Sequence, residues 1–207
     1  MVRFITLPNL AEYGHTLQLM ETRVKNVINH FSEEVVYLVE HSDIYSAGTS
    51  FRDSELLNPR NIPVIYTGRG GGFTYHGVGQ RVIYPILDLS SEGRKKDLKL
   101  YIKLLENWII DSLSSFGITA FTINGMVGVW VKQNGMPAKI ASIGVRVKKW
   151  VTYHGVAVNI STNLDMFDGI IACGLKAYAI TSLKKLGVDI TLTQFDEVAK
   201  NKFLEYF

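Results

Sequence analysis

Apolar residues recur at steps of three and four along residues Tyr13 to Phe31. Tyr13, Leu17, Met20, Val24, Ile28 and Phe31 fall on one stripe, which predicts an amphipathic helix. A second stripe, Leu98, Tyr101, Leu105, Trp108, Ile109, Leu113 and Phe116, predicts a helix from Leu98 to Phe116, with Gly117 as its carboxyl-terminal stop. Between them, "EEVVYLVEH", "IPVIYT" and "RVIYPILDL" are short runs of β-branched and aromatic residues, the signature of strands. From Thr119 onward "TAFTI", "GVWVK", "KIASIGVRVK" and "WVTYHGVAVNI" predict a meander, with turns near Asn134-Gly135 and Lys148-Lys149. Asp196 to Phe207 is expected to close the chain as a helix. No linker or low-complexity segment divides it. Residues 1–207 therefore read as a single α+β domain, a mostly antiparallel or mixed central sheet flanked by helices, in an order too irregular for a βαβ alternation.

Composition narrows the class. A chain of 207 residues with 47% hydrophobic and 20% charged residues can bury a sizeable core, which excludes a disordered segment. No apolar run approaches the roughly 18 residues that cross a bilayer, and the first residues lack a signal-peptide pattern, so no membrane association and a cytoplasmic location are expected. Cys173 is the one cysteine and is expected to be a free thiol. A net charge of +3 suits an acidic protein partner, and no basic run interleaved with aromatics argues for nucleic acid. Arg94-Lys95-Lys96 and Arg146 with Lys148-Lys149 are either steering patches for such a partner or ordinary solvated turns.

Candidate chemistry starts with a repeated word. Thr74-Tyr75-His76-Gly77 returns as Thr152-Tyr153-His154-Gly155. The first copy lies in "TGRGGGFTYHGVGQ", residues 67–80, which holds six glycines in fourteen positions. A P-loop is excluded because no Gly-Lys-Ser/Thr ending follows, and a Rossmann fingerprint because a strand rather than a helix comes next. What remains is a long turn, or a binding wall that uses Arg69, Tyr75, His76 and Gln80. Counting by twos puts His154 with Thr152, Val156, Val158 and Ile160, which is either a core histidine or one facing a ligand. The same counting puts Lys139 with Ala141, Ile143 and Val145 on the apolar side of its strand. Burial disfavours an ammonium ion, which is how a lysine becomes fit for proton transfer near neutral pH, although an end-of-strand lysine can also snorkel to solvent. Cys173 sits between Ala172 and Gly174, small neighbours that leave an approach to its sulfur, although a lone cysteine is commonly just buried. With Lys139 as its base, a thiolate at Cys173 would attack a thioester.

Taken together, "RGGGFTYHGVGQRVIYPILDL", "GVWV" followed by "AKIASIGV", "VTYHGVAVNI", and "ACGL" followed by "TSL" come in an order and spacing that resembles the lipoyl(octanoyl)transferases of lipoate synthesis. The resemblance runs from about "EHSDIYSAGTS" to Leu183. It implies the fold of the lipoate and biotin protein ligase catalytic domains and the transfer of octanoyl from acyl carrier protein to a lysine of a lipoyl domain, the first step of protein lipoylation. It also implies acceptors among the lipoyl domains of 2-oxoacid dehydrogenase complexes and the glycine cleavage H protein, a monomer, and no cofactor or metal. Carried over, the family's nucleophile falls on Cys173 and its lysine on Lys139. Its substrate-binding positions fall on Arg69, Gly70, Gly71, Gly72, Tyr75, His76 and Gly77, on Ser142, Ile143 and Gly144, and on His154, Gly155 and Ala157. Two departures occur: the usual Gly-Pro-Gly-Gln reads Gly77-Val78-Gly79-Gln80, and the usual proline before the cysteine reads Ala172. Each loosens a backbone restraint and leaves the reacting side chains unaltered.

On this reading the two TYHG words are two walls of one acyl pocket rather than a duplicated unit. The rivals are an ATP-dependent lipoate or biotin ligase, which would not need Cys173, and a non-catalytic acyl or carrier-binding module.

Overall fold

A computed structural model describes residues 2–172 and 178–207. Among the described residues, eight strands form one mixed sheet. Seven of them run in the order β1 (Arg3–Ala11), β2 (Val35–His41), β6 (Gln80–Ile86), β10 (Val151–Asn159), β9 (Met136–Lys148), β8 (Met126–Gln133), β7 (Ala120–Ile123), and the short β11 (Ala179–Ile180) adds to β9. A second sheet of three strands, β4 (Val64–Tyr66), β3 (Ile44–Ala47) and β5 (Phe73–His76), stands beside it. The pairing from β2 to β7 is antiparallel, and its part from β10 to β7 is the meander the sequence predicts.

Helices cover both faces of the large sheet, so strand side chains alternate between two cores. Val36, Leu38, Ile83, Val156 and Val158 pack under α2 (Leu98–Ser114) and α3 (Leu192–Phe203). Val35, Tyr37, Val39, Val82 and Tyr84 pack under α1 (Tyr13–Ile28). Burial on both sides explains why β2 reads as an unbroken apolar run rather than an alternating one. Trp108 of α2 is 0% exposed, and its indole N–H donates to the Ala199 carbonyl of α3 at 2.8 Å. Trp108→Ala should therefore cost about 3–5 kcal/mol, measured as a lower midpoint of urea unfolding with little change in slope.

The helix ends follow their caps. Glu12 accepts the amides of Gly14 and His15 at 2.7 Å each, and these two bonds hold its carboxyl below the usual carboxylate range. α1 stops at Ile28, short of Phe31: His30 is left-handed (φ +59°), and Phe31 is exposed. α2 ends near Gly117 (φ +76°), close to the expected stop. α3 starts four residues before Asp196, because Thr191 and Gln194 form a capping box ahead of the first buried residue.

One rim of the large sheet departs from the sequence expectation. β1, a stretch of mixed polarity containing Pro8, pairs parallel with β2, so β1–α1–β2 is a βαβ unit inside the mainly antiparallel sheet. Its register shifts between Thr6 and Leu10, where Asn9 is left-handed (φ +58°). The other end of the sheet, β7, also shifts register, between Phe121 and Ile123.

Candidate active site

The glycine-rich stretch is not one turn: its second half is β5, and its first half lies across β9, where the Gly70 amide donates to the Val145 carbonyl at 2.9 Å. That approach needs a bare α-carbon at Gly144, where a Cβ would lie 2.9 Å from the Gly70 carbonyl oxygen. Beneath the crossing lies a cavity of about 20 Å³. Arg69, Thr74 and His76 line it from one side, His154, Gly155 and Ala157 from β10, Ser142, Ile143 and Gly144 from β9, and Tyr13 and Tyr84 also reach it. The two TYHG words therefore face one space.

Their histidines are held differently. The Nδ1–H of His76 donates to Gln80 at 2.7 Å, and its Nε2 accepts from the Ser46 hydroxyl at 3.2 Å. Gln80 donates in turn to Asn159 at 2.9 Å, and Asn159 to the Thr181 carbonyl at 3.0 Å. Burial, with the nearby His41, drives the His76 pKa well below its ordinary value, so the ring is neutral and both nitrogens are assigned. Arg69 anchors the other end of this chain. Its guanidinium donates to the Ser46 carbonyl (2.5 Å), to Gly72 O and Gly70 O (2.9 Å each), and to the Ser46 hydroxyl. Among the described residues no carboxylate is within ion-pair distance of it.

His154 breaks the alternation of its strand. At φ +55° it is left-handed, and its ring meets Tyr84 and Tyr153, members of the core under α1, rather than Val156 and Val158 on the other face. The expectation that it faces with those valines is thus corrected: period-two counting fails at a residue with positive φ. The same kink separates β10 from β6 near Pro85, which has no N–H. The Thr152 hydroxyl fills the gap by donating to the Pro85 carbonyl and accepting from the Leu87 amide. His154 is 1% exposed, and among the described residues neither ring nitrogen has a hydrogen-bond partner. Burial first, then Arg69 and Arg146, lower its pKa to about 3.

Lys139 also requires a correction. Val129 pairs with Ala141 and Trp130 with Lys139, so Ile140 is an extra residue in β9, a β-bulge. Ala138, Ile140, Ala141, Ile143 and Val145 all reach the core under α2, and Lys139 points with Trp130 instead. It is nevertheless buried, at 3% exposed, with its Nζ 5.3 Å from the centre of the Trp130 ring. It lines an open recess of about 510 Å³ together with Gly70, Gly71, Gly72, Ile143 and Gly144, and the last two are shared with the cavity.

Cys173 and Gly174 lie outside the described residues. Of the expected binding positions, the cavity and recess bring together Arg69, Gly70, Gly71, Gly72, His76, Ser142, Ile143, Gly144, His154, Gly155 and Ala157. Tyr75 and Gly77 line neither. The Tyr75 hydroxyl donates to Asp43 at 2.7 Å, and Gly77 packs against that hydroxyl, where a Cβ would lie only 1.9 Å away. Sequence reasoning passed over Ser46, Tyr13, Tyr84 and Asn159. Nothing local marks them: Tyr13 reaches the site from the first turn of α1, and the other three through sheet pairing, as when Asn159 falls opposite Gln80.

The family model for the lipoyl protein ligase A/B catalytic domain matches residues 12–204. The chain is 59% identical over 208 residues to the octanoyltransferase of Rickettsia canadensis (strain McKiel), covering 100% of both chains. Lipoate-protein ligase A bound with ATP shares its fold at TM-score 0.78 and 17% identity, over 99% of this chain and 84% of that one. The bi-partite lipoate protein ligase of Thermoplasma acidophilum does so at TM-score 0.74 and 15% identity, over 99% and 82%. Sequence identity along the whole length, the matching family model and the shared fold converge: the chain belongs to the lipoyl protein ligase A/B catalytic domain family, within its octanoyltransferase branch.

Proposed function

We propose that this chain moves an octanoyl group from an acyl carrier protein thioester to the target lysine of a lipoyl domain, through a thioester on Cys173 with Lys139 as proton carrier. The observation that carries this reading is Lys139: a buried lysine over an indole ring, without a carboxylate partner among the described residues, lining a recess walled by the glycine loop. An amine so placed serves proton transfer better than it serves a salt bridge.

In the first half-reaction Lys139 takes the Cys173 thiol proton, the thiolate attacks the octanoyl carbonyl, and the carrier's pantetheine sulfur leaves with that proton. In the second, the acceptor lysine amine attacks the new thioester. Its proton passes through Lys139 to the departing Cys173 sulfur, which leaves an amide and the free thiol. One thioester is consumed and one amide formed, with no nucleotide in the balance. The Gly70 N–H is held by Val145, so the backbone N–H groups of Gly71 and Gly72, which border the same recess, are the candidates to hold the tetrahedral oxyanion. The cavity between the TYHG words is the proposed berth for the acyl tail. It has room for about one water as it stands, so entry requires its walls to part. The ring of His154, unbonded among the described residues, breaks no hydrogen bond with them in doing so.

Intact-protein mass spectrometry after mixing with octanoyl carrier protein, without ATP, tests this. Wild type should gain one octanoyl group, Cys173→Ala none, and Lys139→Ala should gain it at least 10²-fold more slowly. An adduct that persists in Cys173→Ala, or transfer that requires ATP, would sink the proposal.

A further inference from the structure

β8 passes beside Lys139 at a residue with two unusual properties. Gly128 has φ +127°, a conformation open to glycine and hardly to any other residue. A Cβ built on it would lie 2.5 Å from Lys139 Cε, 3.1 Å from its Nζ and 2.7 Å from the Ala141 carbonyl oxygen. The same strand carries Trp130, the ring beneath the lysine nitrogen. The Gly128 amide is tied at 2.9 Å to the carboxylate of Glu106 on α2, which fixes the strand where the lysine passes it.

We propose that Gly128 is the positioning residue for Lys139: its bare α-carbon, held by Glu106, leaves the channel along which the lysine side chain reaches the recess. The proposal deepens the proposed function and rests on Lys139 acting there as the proton carrier. A Cβ at this point cannot be relieved by the backbone, because the Ala141 carbonyl belongs to the paired strand. The Trp130 ring closes the other side. The lysine must therefore move, and a displacement of about 1 Å in a reacting group costs on the order of 10²-fold in rate.

The test is single-turnover acylation of Cys173 by octanoyl carrier protein, followed by intact mass, in Gly128→Ala, Lys139→Ala, the double variant and Glu106→Leu, which removes the acceptor of the Gly128 amide. Gly135→Ala serves as control: it also places a side chain at positive φ (+79°), in the β8–β9 turn, with nothing within 4 Å of the added methyl. Gly128→Ala should acylate about 10²-fold more slowly with the half-saturating donor concentration unchanged. In the Lys139→Ala background the same substitution should have no further effect, because it acts only through the lysine. Glu106→Leu should slow acylation several-fold, again only when Lys139 is present, and Gly135→Ala should match wild type. Wild-type acylation by Gly128→Ala, or a slowing that adds to that of Lys139→Ala, overturns the proposal. Should Gly128→Ala fail to fold, Glu106→Leu decides on the same criterion. Wild-type acylation by Lys139→Ala is a separate result that removes the proton-carrier assignment itself, and the positioning role with it.

Discussion

Acidification from pH 7 to 4.5 is expected to remove roughly 5 kcal/mol of stability through two histidines alone. Burial lowers the His41 pKa to about 4 and the His154 pKa to about 3, whereas an unfolded chain titrates them near the ordinary value of 6.5. His41 is neutral by design of its bonds: its Nδ1–H donates to the Ala11 carbonyl at 2.8 Å, and its Nε2 accepts from the Tyr84 hydroxyl at 2.9 Å. Because the folded pKa is the lower one, the unfolded state binds more protons between the two values. Stability is complete above about pH 6.5 and is lost as pH falls through that window, by about 1.4 kcal/mol per pH unit for each group. At pH 4.5 each contributes a loss of roughly 2–3 kcal/mol, and His76, shifted the same way, adds to it. Against a typical total of about 5–15 kcal/mol, this is enough to bring the fold near its midpoint. Urea unfolding at half-unit pH steps measures the slope. His154→Leu should reduce it by one proton, and a flat profile from pH 6.5 to 4.5 would contradict the account.

The second large effect is expected at Arg69. Its guanidinium supplies the Ser46, Gly70 and Gly72 carbonyls and the Ser46 hydroxyl, so Arg69→Met takes a donor away from four buried oxygens at once. A cost of about 3–5 kcal/mol follows, together with loss of acyl transfer as the glycine loop loses its tie to Ser46 of β3. The substitution also removes a positive charge that helps hold His76 and His154 neutral. Both pKa values should therefore rise toward 6.5, and the residual acid slope of the variant should be shallower than that of wild type. Calorimetry combined with a histidine-resolved NMR titration would read both. A melting temperature within a degree or two of wild type would show that the loop is held by other means.

How far the sequence made this legible depends on whether a position obeys the period of its element. α2 was readable because every residue of its stripe follows the helical repeat and Gly117 marks its end. The meander was readable because β7 to β10 are sequential neighbours. The misreadings lie where the backbone departs from regularity. The extra Ile140 inverts the alternation at Lys139, and the positive φ of His154 turns its ring to the other core. β1 escapes a local reading because Pro8 and the left-handed Asn9 interrupt it, and its pairing with β2 lies across a helix in sequence. The candidate chemistry was visible as residue types, but its assembly was not. Ser46, Tyr84 and Asn159 join the site through register, which no local pattern encodes.

The irregular outer strands have a bearing on how the molecule behaves at high concentration. A regular strand on the rim of a sheet offers its free amides and carbonyls to a second molecule and can seed stacked polymers. Here one rim is interrupted at Pro8 and Asn9, and the other, only four residues long, slips at Phe121 to Ile123. Neither presents an even ladder for a neighbour to extend, so the broad central sheet is shielded from growing sideways into aggregates.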